Sequence, residues 1–170
     1  MRKFTKILAA LLVPAMLVSL TACGGETSSS TNTSSATESV LNASAPADIT
    51  KKIMEDIKFP SMAEIKSERL ATYYEVDSDK IENFSAYICG SGAYPDEIAI
   101  FKMKSSADVD AVKTVLQARV ESQTTTFKDY TPDEMYKIDG KNIVISGNYI
   151  ALIICSDNAG ATNTFNSMTK

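Results

Sequence analysis

Apolar and polar positions follow a different pattern in each part of the chain, and each pattern predicts a different element. Residues 7–20 form a 14-residue run that is mostly apolar, while residues 24–47 are mostly Gly, Ser and Thr. Beyond them Ile49, Ile53 and Ile57 recur every four residues. That spacing predicts an amphipathic helix capped by Asp48 and stopped at Phe59-Pro60. Ser61-Met62-Ala63-Glu64 has the form of a capping box ahead of Ile65 and predicts a second short helix. Tyr73 to Glu82 shows no period and reads as irregular.

Four strand-like runs follow in two pairs. Phe84–Cys89 and Glu97–Met103 are joined by the turn-rich Gly90 to Asp96. Asn142–Ser146 and Tyr149–Cys155 are joined by Gly147-Asn148, a glycine-led two-residue loop of the kind a type II′ hairpin uses. Between the pairs, Val109, Val112, Leu116, Val120 and Phe127 share one stripe of a helical wheel. They predict a helix of about 20 residues, roughly 30 Å long, capped by Ser105 or Ser106 and ending near Lys128. Ala161, Phe165 and Met168 fall on one face, so the C-terminal segment reads as a helix held by packing, because Gly160, Thr162, Asn163 and Thr164 are weak helix formers.

These elements predict an α+β fold. It has a mostly antiparallel four-stranded sheet built from two hairpins, a long central helix between them, and helices at both ends. Ile98–Phe101, Ile143–Ile145 and Ile150–Ile154 are apolar without alternation, so both faces of the sheet need cover. The N-terminal helices are expected to supply it. The other reading is a bare apolar face used to self-associate as a homodimer or to hold a ligand.

The first apolar run is preceded by Arg2, Lys3 and Lys6 and is too short for a hydrocarbon core that needs roughly 20 helical residues. It closes on Leu20-Thr21-Ala22-Cys23, the form of a lipobox, in which the cysteine takes a diacylglyceryl group and becomes the new N-terminus. Residues 1–22 therefore read as a lipoprotein signal peptide. Residues 23–47 read as lipidated Cys23 followed by a disordered Ser/Thr-rich linker with a reach of about 25–30 Å. Residues 48–170 read as a single domain. The expected location is the outer face of the cytoplasmic membrane, with two acyl chains giving stable attachment.

Loss of the leader removes three basic residues and no acidic ones, which takes the formal charge from −4 to −7. Such a domain is repelled by phosphates, so nucleic acid is not expected as a partner. The chain has no histidine, which removes Ser-His-Asp and Cys-His catalysis and the commonest zinc ligand. It has no tryptophan, leaving seven tyrosines as the available platform for sugars. Asp77-Ser78-Asp79 with Glu82 fails the spacing of a calcium loop and reads as a capped turn. Gly90-Ser91-Gly92 lacks the helix start and lysine of a phosphate loop. No metal or cofactor is expected. Cys89 and Cys155 read as buried free thiols. A disulfide is the alternative if their Cα atoms come within about 7 Å.

Gln123 is the most informative single residue, because a side-chain amide inside an apolar stripe needs partners. Arg119 lies one turn earlier at the margin of the stripe, and Glu97 opens the strand expected beside it. Glu97, Arg119 and Gln123 are thus expected to form a polar cluster with Tyr94 and Tyr130 at its rim. It would serve either as a clamp between helix and sheet or as a site for a small polar ligand. Asp96-Glu97 and Asp133-Glu134 offer acid pairs for a carboxylate-dependent cell-wall hydrolase, which needs two acids about 5–9 Å apart across a cleft.

Ser91 to Lys102, then Arg119, Gln123, Phe127, Tyr130 and Pro132, and then Gly147-Asn148-Tyr149 together resemble the clostridial lipoproteins grouped as domain of unknown function 4358. The resemblance spans Thr50 to Lys170. It implies an α+β domain on a Gram-positive cell surface and carries no catalytic or binding residues with it. The expected function is a non-catalytic binding module at the cell envelope, with an envelope protein or a small molecule as partner.

Overall fold

The computed structural model describes residues 43–138 and 142–170. The expected signal peptide, Cys23 and the expected linker up to residue 42 lie outside the described residues. In chain order the elements are α1 (Pro46–Asp56), β1 (Met62–Glu64), α2 (Leu70–Tyr73), β2 (Ile81–Cys89), β3 (Glu97–Met103), α3 (Val109–Tyr130), β4 (Ile143–Ser146), β5 (Tyr149–Ile154) and α4 (Asn158–Met168). The sheet runs β1-β2-β3-β5-β4 with every neighbour antiparallel.

The two central strands are buried on both faces, as their unbroken apolar sequences require. Every residue of β5 is buried, and in β3 only Lys102 is not. Side chains alternate across a strand. Ala99, Phe101 and Met103 therefore join Ile150, Leu152 and Ile154 beneath Val112, Leu116 and Phe127 of α3. Ile98 and Ile100 join Ala151 and Ile153 on the other side, against Ile49 and Ile53 of α1 and Ala161 and Phe165 of α4. The second face is thus covered from both chain ends rather than by N-terminal helices alone. The homodimer reading loses the bare apolar face on which it rested.

The sheet has five strands, not four. The fifth is β1, in the segment where the capping-box pattern predicts a helix. Four residues cannot offset the cost of nucleating a helix unaided. The open edge of β2 supplies partners instead, pairing Met62 with Cys89 and Glu64 with Tyr87. Gly90 N–H extends the match by donating to the Ser61 carbonyl at 2.9 Å. β2 itself starts at Ile81, three residues earlier than its sequence suggests, with a register irregularity between Ile81 and Asn83.

α1 begins at Pro46 rather than Asp48. Proline's fixed φ suits a first helical turn, and Asp48 lies within that turn, where its charge suits the helix dipole. α3 follows a 3₁₀ turn in which the Ser105 hydroxyl accepts from Ala107 N–H at 3.2 Å. α4 is capped by Asp157, whose Oδ1 accepts from Gly160 N–H at 2.9 Å. A Cβ at Gly160 would crowd the other oxygen of that carboxylate, so a larger residue there would make the Asp157 side chain shift. Gly147 adopts φ +58° in the last hairpin, which a side chain would resist. Ser44 N–H donates to the Met168 carbonyl at 2.9 Å, and the Tyr149 hydroxyl donates to the Ser44 carbonyl at 3.1 Å, tying the two ends of the domain together. Among the described residues no helix is long and apolar enough to cross a membrane.

Adjacent residues of β3 serve opposite cores, so both are sensitive to truncation. Ile100→Ala is expected to lose about 2–5 kcal/mol and Phe101→Ala about 3–5 kcal/mol in urea unfolding. Tolerance of either substitution would mean that its face is not packed as described.

Candidate functional site

Glu97 opens β3, and its side chain points to the α3 side, where it is fully buried. Both carboxylate oxygens are occupied. Oε1 accepts from the Tyr74 hydroxyl at 2.6 Å and from Arg119 Nε at 3.1 Å. Oε2 accepts from Arg119 Nη2 at 2.7 Å, Arg119 Nε at 3.1 Å and Gln123 Nε2 at 2.6 Å. Arg119 and Gln123 reach one carboxylate because residues four apart lie on the same side of a helix. Burial pushes the Arg119 guanidinium down, but its bond to Glu97 outweighs this and holds it above its ordinary value. Burial raises the Tyr74 phenol well above its usual range, and the Glu97 charge adds to the effect.

The expected cluster of Glu97, Arg119 and Gln123 therefore exists, and its fourth member is Tyr74. That residue lies in the stretch read as irregular, where no periodic signal marks it. Tyr94 and Tyr130 are not its rim. The Tyr130 ring lies 6.5 Å from that of Phe127, and the ring facing the Arg119 guanidinium, at 5.9 Å, is that of Tyr73. Chemically the set is a closed one: a carboxylate neutralised by a guanidinium, with its remaining lone pairs taken by a phenol and an amide.

A second polar cluster lies on the opposite side of the sheet. Asp96 precedes Glu97 in extended chain, so the two carboxylates point to opposite faces. Asp96 Oδ2 meets Lys137 Nζ at 2.7 Å. Lys137 closes a 3₁₀ turn (Pro132–Lys137), within which Glu134 Oε2 approaches the same nitrogen at 2.6 Å as an ion pair without hydrogen-bond alignment. The rings of Tyr94 and Tyr136 lie 5.5 and 5.9 Å from that nitrogen. The Lys137 carbonyl accepts from Asn142 Nδ2 at 2.9 Å and Asn158 Nδ2 at 2.7 Å, which fastens the turn to the end of the sheet. Burial raises the Asp96 carboxyl despite the lysine beside it. Burial pushes Lys137 down, but Asp96 and Glu134 hold it above its ordinary value.

Nothing periodic in the sequence picks out Lys137. Its spacing of three from Glu134 is the one local clue. Among the described residues five buried side-chain oxygens have no hydrogen-bond partner; Asp96 Oδ1, Asn142 Oδ1 and Thr131 Oγ1 belong to this end, as does Glu134 Oε2, which faces the Lys137 ammonium. The fifth is Thr50 Oγ1 on α1. Two shallow clefts of about 380 and 440 Å³ share Ala47 and Tyr87 at the α1 edge of the sheet, and neither is lined by either polar cluster.

Cys89 and Cys155 are both buried and unbridged. The reason is register. β2 and β5 flank β3 on opposite sides, with Ile88 and Ile154 both opposite Glu97. The next residues, Cys89 and Cys155, are therefore two strand spacings apart, about 9.6 Å, beyond the ~7 Å reach of a disulfide. Burial raises the Cys155 thiol to about 11. Burial also pushes Cys89 up, but bonds from the Ser91 hydroxyl and the backbone of Ser91, Tyr94 and Gly92 bring it below its ordinary value. Asp77 caps a 3₁₀ turn by accepting from Asp79 N–H at 3.0 Å. Among the described residues no group of three or more acidic or cysteine side chains is placed to hold a metal ion.

Residues 55–155 match the model of a family described as domain of unknown function, DUF4358. No curated protein and no solved structure matches the chain.

Removal of Arg119 leaves a fully buried carboxylate without its charge partner. Arg119→Ala is expected to lose about 3–5 kcal/mol in urea unfolding, and a loss below about 1 kcal/mol would mean that Glu97 is hydrated and open. Tyr74 also gives a pH signature. The unfolded chain releases its phenolic proton near 10.0 and the folded chain holds it to higher pH, so its stabilisation is intact below that value and falls above it. Urea midpoints are expected to decline less steeply above pH 10 in Tyr74→Phe than in the parent chain. Parallel declines would show that Tyr74 ionises freely.

Proposed function

We propose a function for a chain that belongs to the DUF4358 family: a non-catalytic binding module, held at the outer face of the cytoplasmic membrane by a diacylglyceryl group on Cys23. The observation that carries the binding reading is the placement of exposed aromatic surface. Among the described residues the exposed large apolar side chains are Tyr94, Tyr130, Tyr136 and Ile145. The three tyrosines belong to one end of the domain. Tyr94 and Tyr136 flank Lys137, and Tyr130 ends α3 just before the turn that carries Tyr136 and Lys137. Tyrosine gives a large, stiff apolar contact with a polar tip, and it is enriched where binding energy concentrates.

The polar set at Glu97 supports a structural role instead. Tyr74, Arg119 and Gln123 already occupy its carboxylate, so a small polar ligand would have to displace one of them. Asp96 and Glu97 support no hydrolase of the two-acid type, since each is neutralised by its own base on its own side of the sheet. The membrane tether rests on the lipobox and the basic, short apolar leader before it.

The soluble Cys23→Ser chain is expected to co-sediment with envelopes from host cells that lack their own copy. The triple substitution Tyr94→Ser, Tyr130→Ser, Tyr136→Ser should abolish this while leaving the melting temperature within a few degrees. Equal co-sedimentation of the two chains would overturn the reading, as would release into the medium of a protein whose Cys23 is intact.

A further inference from the structure

Lys137 shows what the tyrosine end of the domain is built to hold. Its ammonium group lies beside two aromatic rings and two carboxylates, the surroundings that stabilise a cation whose hydration is partly removed. One lysine does not balance the charge. Asp96 and Glu134 carry two negative charges against its one, and among the described residues Asp129 and Asp133 add two more on exposed chain beside the exposed Lys128. Among the described residues the side chains of this end thus carry four negative charges against two positive ones.

We propose that this face binds an extended, lysine- or arginine-rich segment of a protein partner, laid across Tyr94, Tyr136 and Tyr130. The inference rests on the binding-module reading given above and names its ligand class. The match is one of chemistry as well as charge. Lysine and arginine bring several N–H donors on a long apolar stem, and the stem lies on tyrosine rings while the head meets carboxylates. The breadth of the face selects a polypeptide over a single small amine, because three rings from two separate chain segments present more surface than one ammonium group covers. An anionic or neutral segment would leave the acidic side chains without a counter-charge and meet repulsion instead.

The test uses the full-length exported protein in mild detergent, with fluorescence anisotropy of a labelled decapeptide alternating lysine and serine. Its counterpart alternates glutamate and serine. The lysine peptide is expected to bind, and the glutamate peptide to bind at least tenfold more weakly. Tyr94→Ser with Tyr136→Ser should weaken lysine-peptide binding tenfold or more, and Asp129→Asn with Asp133→Asn several-fold. Asp110→Asn with Glu121→Asn removes the same charge from α3 away from this end and should change it less than twofold.

Equal binding of the two peptides, or equal losses in the two charge-matched variants, would overturn the proposal. So would spermidine binding as tightly as the lysine peptide, which would assign the face to free amines. If the peptide fails while envelope co-sedimentation still depends on the tyrosines, only the cationic class is overturned. If both fail, the binding face itself is wrong.

Discussion

β3 must be buried on both faces, and the rest of the fold follows from how that is achieved. Two helical layers cover it, α3 on one side and α1 with α4 on the other. The chain enters this strand through two consecutive acids, Asp96 and Glu97, and alternation sends them to opposite layers. Each meets a base from a different part of the chain: Glu97 meets Arg119 of α3, and Asp96 meets Lys137 of the turn beyond it. The start of the central strand is thus tied on one face to α3 and on the other to the turn that follows it.

Buried ion pairs are a weak source of net stability, since desolvation offsets much of their attraction. Their effect here is on register. A slip of one residue in β3 would exchange the faces of Asp96 and Glu97 and would also move Ile98, Ala99, Ile100 and Phe101 to the wrong cores. The apolar exchange alone discriminates poorly, because both layers accept aliphatic side chains. A carboxylate directed away from its base is a much larger penalty. The two acids supply what a strand with two apolar faces lacks, a means of telling one face from the other.

The parts of this arrangement that were legible in the sequence lie on regular elements. Val112, Leu116 and Phe127 gave the buried stripe of α3, and Gln123 within that stripe led to Arg119 and Glu97. Tyr74 and Lys137 were not legible, because a residue in aperiodic chain carries no sign of which face it will meet. Tyr94, expected at the rim of the Glu97 cluster, instead lies beside Lys137, the partner of Asp96. The capping box at Ser61 is a sound local signal overridden by an open strand edge, Tyr87 to Cys89, that comes more than 20 residues later and that no window around Ser61 contains. For Cys89 and Cys155 the decisive fact is strand order, in which β3 separates β2 from β5.

The tie between Ser44 and Met168 gives the domain a mechanical polarity. Both ends of the folded chain leave from one corner, beside α1 and α4 and away from the centre of the sheet. Tension arriving through the residues before Ala43 meets that corner first. It loads the Ser44–Met168 and Tyr149–Ser44 hydrogen bonds, and through Tyr149 it reaches the first residue of β5. Tyr149 and the Asp96–Lys137 pair stand at opposite ends of the β3–β5 ladder, so the tyrosine end lies a full strand length from the bonds that such a pull meets first.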